Sequence, residues 1–173
     1  DVPEDFENLR ALERTPEPSI VVVGRLVPHK RVEIAVDSLA KHAASLPDLQ
    51  LHVVGDGYWL DNIRAHAEAR QVSDRVHMHG FVDGNEKHRL LATSWIMALP
   101  SLKEGWGLTI IEAALHSTPA IAFRDAGGTQ ESIVDNNTGV LADDVDGFHE
   151  AVLRLATDED YRKKLGDNAR MHA

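Results

Sequence analysis

Ile20-Val21-Val22-Val23-Gly24-Arg25-Leu26-Val27-Pro28-His29-Lys30, followed by Val32, Ala35, Val36, Leu39, Ala40 and Ala43 at helical spacing, decides the architecture of this chain. A short unbroken apolar run rich in β-branched residues is a strand buried on both faces. The residues that follow fall at i, i+3, i+4, i+7, i+8 and i+11, one face of a helix. Working outward, similar Val- and Ile-rich runs recur at 51–54, 76–79, 95–99, 120–123 and 140–141, with stretches of helical period between them. Phe148, Ala151, Val152, Leu155 and Ala156 repeat the helix spacing, with Asp146 expected as the N-cap. Alternation of this kind predicts an α/β, Rossmann-like fold: a parallel sheet of about six strands with helices on both faces. Residues 1–19 are acidic, carry Pro3, Pro16 and Pro18, and show a helical spacing at Phe6, Leu9 and Leu12. They read as a linker or lead-in segment, and residues 20–173 as one domain.

Composition narrows the function. The 173 residues include no cysteine, which excludes a disulfide framework, a thiolate metal site and a cysteine nucleophile. A formal charge of −10, from 28 acids against 18 bases, argues against a broad nucleic-acid-binding face. No apolar run approaches the roughly 18 residues of a membrane span, so no direct membrane insertion is expected. The chain begins at Asp1 rather than Met, and a piece of a longer protein is expected.

In a parallel sheet of this type, ligands sit beyond the carboxyl ends of the strands. Attention therefore falls on residues 24–30, 55–59, 80–87, 100–108 and 124–129. In the first loop Gly24 permits a tight exit, and Arg25 with Lys30 offers a guanidinium and an ammonium suited to a diphosphate, or two bases simply solvated. Gly55-Asp56-Gly57 lacks the third glycine of a dinucleotide fingerprint and reads as a tight turn, with Asp56 capping the next helix. Glu112 is the sole formally charged residue between Glu104 and Arg124, in a helix otherwise apolar nearly all round. Such a helix is expected to be buried, and a buried carboxylate requires a partner. That partner is either a core salt bridge or backbone N–H, or the hydroxyls of a sugar or ribose. Glu104 precedes the helix beside two glycines whose amides are left bare, a positive end suited to phosphate.

Two carboxylates also fit a glycosidase pair, but Arg25, Lys30 and the parallel sheet favour a phosphorylated donor. His77 and His79 share a strand face; packing or a solvated edge is expected rather than half of a metal site. No Asp-x-Asp motif is expected at the site, and with two cations in place the chemistry is expected to need no metal.

Ser101-x-x-Glu104-Gly105-Trp106-Gly107-Leu108-x-x-x-Glu112-Ala113 resembles the Glu-x7-Glu signature of retaining, nucleotide-sugar-dependent glycosyltransferases of the GT-B fold, glycosyltransferase family 4 or group 1. Gly24-Arg25 with Lys30 resembles the phosphate-binding segment of that family, and His79-Gly80-Phe81-Val82 its base-binding turn. Pro119, Gly127-Gly128-x-x-Glu131 and Gly139-x-Leu141 match the remainder, so the resemblance covers residues 20–173. Trp106 stands where Phe is usual, Ser117 where Gly is common, and Tyr58 where Pro often follows Gly-x-Gly.

The resemblance implies the C-terminal, donor-binding half of a two-domain enzyme whose N-terminal acceptor-binding domain is missing from this chain. It implies Arg25, Lys30 and Glu104 as catalytic residues, the two cations on the diphosphate and Glu104 facing the hydroxyls of the transferred sugar. It further implies nucleotide contacts from Gly24, Val82, Lys87, Gly105, Trp106, Gly107, Leu108 and Glu112, with Val82 bordering the base and Glu112 accepting the ribose hydroxyls. The donor would be a UDP- or GDP-sugar, with no other cofactor, and the location cytoplasmic, either free or peripheral at the inner membrane face. The alternative from another class is a non-catalytic nucleotide-sugar-binding or interaction module. An epimerase or a phosphorylase on a related fold is disfavoured by the Glu-x7-Glu loop.

Overall fold

The computed structural model describes residues 8, 9, 12–104 and 107–173; Phe6, Gly105 and Trp106 lie outside the described residues. Six strands form one sheet: β1 (Ser19–Val23), β2 (Gln50–Val54), β3 (Val76–Gly80), β4 (Ile96–Leu99), β5 (Ala120–Phe123) and β6 (Gly139–Ala142). All neighbours are parallel and the order is β3-β2-β1-β4-β5-β6. Helices α1 (Val32–Lys41), α2 (Leu60–Ala69), α3 (Gly84–Thr93), α4 (Leu108–Leu115), α5 (Thr129–Ser132), α6 (Val145–Thr157) and α7 (Glu159–His172) complete the α/β fold expected from the alternation.

The apolar runs of β1, β4 and β5 are uninterrupted because successive side chains of these strands enter different cores. Ile20 and Val22 of β1 join Val36, Leu39 and Phe148 on one face of the sheet. Val21 joins Leu91, Met97, Ile110 and Ala113 on the other. Strand order reverses between β1 and β4, which leaves a crevice beyond their carboxyl ends. The loops after these two strands carry Arg25 with Lys30 and Glu104.

Three local expectations are corrected. The cap of α6 is Asp144, whose side chain accepts from the Gly147 N–H at 2.7 Å; Asp146 sits in the first turn. Asp56 does not cap α2, which starts after Trp59 without a side-chain cap; its Oδ1 accepts from the Gly57 N–H at 2.8 Å, within the turn itself. Helix α4 is not buried all round. Ile110 and Ala113 pack inward, while among the described residues Leu108 is 65% and Ile111 41% exposed.

The described part of the lead-in segment is bolted to the domain through Arg14. Its guanidinium donates to Ala92 O at 2.6 Å, Ser94 O at 3.0 Å, Thr118 Oγ1 at 2.6 Å, His116 O at 2.7 Å and Ser117 O at 3.1 Å. These carbonyls close the C-terminal ends of α3 and α4, where a cation is favoured. Burial, with Arg162 nearby, pushes Arg14 down to about 10, which still leaves it charged at neutral pH. Among the described residues no helix is long and apolar enough to cross a membrane.

Candidate functional site

The loop after β1 and the loop after β2 are stitched together by their backbones. The Gly24 N–H donates to Val54 O at 3.0 Å, the Leu26 N–H to Asp56 O at 3.0 Å, and the Trp59 N–H to Leu26 O at 3.1 Å. Glycine is required for this approach: a Cβ on Gly55 would lie 1.9 Å from Gly24 O, and one on Gly57 2.3 Å from Leu26 O. The Gly-x-Gly therefore serves loop contact rather than a dinucleotide. Beside the stitch lies a cleft of about 500 Å³, lined by Gly24, Arg25, Gly55, Val82, Asp83 and Lys87 among others. Four residues expected at the nucleotide thus converge on one cavity. Phe81 also lines it and is 87% exposed. Asp83 caps α3, its Oδ1 accepting from the Glu86 N–H at 2.8 Å, and so fixes the turn that presents Val82 and Lys87.

Lys30 and Glu104 meet where the sheet order reverses. Lys30 Nζ lies 2.6 Å from Glu104 Oε1, and Ser101 Oγ donates to the same oxygen at 2.7 Å. The backbone of Glu104 is pinned as well: its N–H donates to Ala126 O at 2.7 Å, and the Gly128 N–H donates to Glu104 O at 3.2 Å. The residue is therefore held by main chain on one side and by an ion pair on the other. Gly107 opens α4 with φ 64°, a conformation that favours glycine, and no side chain caps that helix end. Gly105, the other glycine of the expected bare amides, lies outside the described residues.

Glu112 is half-buried, with 15% of its side chain exposed, and its partner in the fold is a salt bridge, the first of the two readings offered for it. Lys87 Nζ lies 2.7 Å from Glu112 Oε2, and His88 Nε2 lies 3.4 Å from the same oxygen. Behind it, His88 Nδ1 and His116 Nε2 are 2.7 Å apart, and both histidines are buried. Burial pushes the His88 imidazole below its usual range, against the pull of the Glu112 carboxylate and with the push of Lys87. Sequence reasoning named Glu112 and Lys87 but missed His88 and His116. No local spacing marks them, because their contact joins two helices.

The histidines of the sheet edge pack on one another. His52 Nδ1 lies 2.9 Å from His79 Nε2, the rings of His52 and His77 stack at 5.0 Å, and His77 Nε2 meets Gln50 Oε1 at 2.7 Å. Burial, reinforced by His79 and His77, pushes His52 down to about 4. Among the described residues no group of three or more His, Asp or Glu is arranged to hold a metal ion. Asp-x-Asp spacing does occur, as Asp144-Val145-Asp146 and Asp158-Glu159-Asp160, but outside the cleft. Asp144 caps α6, and Asp158 caps α7 by accepting from the Tyr161 N–H at 3.0 Å.

The departure at Ser117 is accommodated by strain. Ser117 takes φ 58°, the left-handed region in which the glycine common at this position is at ease.

Comparison with known proteins places this geometry in context. The chain is similar to the trehalose synthase of Thermococcus litoralis, 32% identical over 179 residues that cover 96% of the chain and 43% of that relative. Its fold matches the C-terminal domain of the group 1 glycosyl transferase LpcC from Francisella tularensis, with a TM-score of 0.80 at 23% identity over 89% of the chain and 83% of that domain. It likewise matches HepE from Anabaena, solved with UDP and glucose, with a TM-score of 0.83 at 21% identity over 95% of this chain and 49% of that one. The chain thus spans about two fifths of the length of the curated relatives it matches. The family model described as glycosyl transferases group 1 matches residues 4–172, and the chain belongs to that family.

Proposed function

We propose that this chain is the donor-binding half of a retaining glycosyltransferase that moves a hexose or similar sugar from a UDP- or GDP-sugar to an acceptor held by a second, N-terminal domain. The observation that carries the reading is the convergence of Arg25, Val82 and Lys87 on one cleft of about 500 Å³ beside the sheet's reversal point, with the Lys30–Glu104 pair in the neighbouring loops. Breaking a sugar–diphosphate bond builds negative charge on the departing nucleotide. Cations fixed there stabilise the transition state more than the ground state, which is the condition for catalysis. Arg25 and Lys30 fill that role without a metal, and no cofactor beyond the donor is required. Glu104 faces the transferred sugar and Glu112 accepts the ribose hydroxyls, while backbone at Gly107 and Leu108 approaches the phosphate and sugar. HepE, whose structure holds UDP, makes UDP the first probe to try. The enzyme works on the cytoplasmic side, where such donors are made.

Alone, the chain forms one wall of the reaction cleft. Nothing then holds an acceptor in attacking geometry or keeps water from the donor, so the orientation contribution to rate is lost. The test is a fusion to the acceptor-binding domain of a relative, assayed for sugar transfer beside the isolated chain. Transfer by the fusion and none by the isolated chain is the expected result. Robust transfer by the isolated chain overturns the division of labour, and a fusion that binds donor but never transfers favours a non-catalytic binding module.

A further inference from the structure

We infer that His88, fixed by His116, is the positioning residue that aims the Glu112 carboxylate at the donor's ribose. The inference rests on the reading of Glu112 as the ribose acceptor. Among the described residues two side chains meet Glu112 Oε2, and they differ in kind. Lys87 Nζ, at 2.7 Å, ends a flexible four-carbon stem, has 29% of its side chain exposed and lines the cleft itself. An arriving diphosphate competes for that ammonium. His88 Nε2, at 3.4 Å, belongs to a rigid ring with 2% of its side chain exposed and is not among the residues lining the cleft. Its direction does not change when the cleft fills. Lys87 supplies charge; His88 supplies aim.

The ring's aim is set from behind. His88 Nδ1 and His116 Nε2 lie 2.7 Å apart, so one donates and the other accepts. If His88 donated to His116, a neutral His88 would turn a lone pair toward the carboxylate at 3.4 Å, which is repulsive. The carboxylate therefore selects the opposite polarity, with His116 Nε2–H donating to His88 Nδ1 and His88 Nε2–H facing Glu112. Burial favours the neutral ring that this chain of donors requires. His116 is held in turn, since it closes α4 and its carbonyl accepts from Arg14 at 2.7 Å. A freely rotating glutamate gives up side-chain entropy whenever it grips a ligand. A carboxylate already turned by a buried ring gives up less, which is the advantage of preorganisation.

The experiment is calorimetric titration of the chain with UDP and GDP, each beside its 2′,3′-dideoxyribose counterpart. The unchanged chain is expected to favour the ribonucleotide by about tenfold or more, the value of hydrogen bonds to a charged acceptor. His88→Leu should collapse that preference to about twofold, with dideoxy affinity nearly unchanged. His88→Gln, which restores an N–H near Nε2, should recover most of it. A merely structural role for His88 would lower ribo and dideoxy affinities together. His116→Leu, which removes the donor behind the ring, should lose part of the preference and carries the same test if His88→Leu does not fold. Absence of any ribose preference in the unchanged chain overturns the role of Glu112, and this inference with it. A preference that is present in the unchanged chain and survives in the leucine variants overturns the inference alone.

Discussion

Each glutamate of the Glu-x7-Glu spacing meets a lysine from the other half of the sheet, yet the two pairs are built differently. Lys30–Glu104 joins two loops at the reversal of strand order, with Ser101 from the same loop and the backbone at 126–128 as its supports. Lys87–Glu112 joins two helices, and its support is a pair of buried imidazoles. Both carboxylates are gripped by side chains, but the backbone that carries the first is also pinned by main-chain bonds, while the second is backed by two buried rings. Main-chain bonds survive substitution of the side chains around them; a ring pair does not. The second pair is therefore where single changes should reach furthest.

The largest effect expected is on stability. Glu112→Leu leaves the His88 N–H without its acceptor and an ammonium without its partner, at a cost of about 2–3 kcal/mol. Glu104→Leu also strands an ammonium, but it leaves no buried ring unpaired and keeps the backbone bonds at 104, and should cost about 1 kcal/mol. Denaturant unfolding of both variants checks the asymmetry, and equal losses would mean that the imidazole pair adds nothing.

Next comes the split in what the two carboxylates bind. Glu112→Gln should weaken UDP by about tenfold or more, because a charge-assisted acceptor becomes a neutral one. Glu104→Gln should leave UDP nearly unchanged and weaken a UDP-sugar. Titration of both variants with both ligands decides it; identical profiles would erase the distinction between a ribose carboxylate and a sugar carboxylate.

The cations sharpen the comparison further. Arg25→Ala and Lys30→Ala should weaken a nucleoside diphosphate by several-fold while leaving the bare nucleoside near its original affinity. The losses should shrink at high salt, since partly exposed charges are screened within about 10 Å at 0.1 M. Losses that are equal for nucleoside and diphosphate would make these residues loop-formers rather than phosphate grips.

The smallest effect is at Ser117, just past the helix that carries Glu112. Ser117→Gly relieves a left-handed backbone and should raise stability by up to about 1 kcal/mol without altering either pair, as a thermal melt with and without UDP would register.

Much of this arrangement is legible in the sequence, and the exceptions have physical causes. The inner strands are readable because they are covered on both faces, so Ile20–Val23 and Ala120–Phe123 stand out as unbroken runs, whereas the edge strand β3 alternates through His77 and His79. That Glu112 needed a partner is readable from the cost of burying a charge. Which partner it took is not, since Lys87 and His88 reach it from α3, across a packing of two helices. Asp144 and Asp146 compete for one cap within a single turn, and backbone angles rather than residue type choose between them. Periodicity made α4 apolar nearly all round, but the solvent exposure of Leu108 and Ile111 depends on which elements lie over them, and spacing carries no information about that.

If a nucleoside diphosphate binds in the cleft beside Arg25 and Lys87, the folded chain should melt at a higher temperature in its presence. At about 100 times its dissociation constant a ligand stabilises the folded chain by roughly 2.7 kcal/mol, enough to move the melting temperature by several degrees. A shift with UDP or GDP that is diminished in Arg25→Ala and in Glu112→Gln is expected. No shift with any UDP, GDP or ADP compound at millimolar concentration would contradict it.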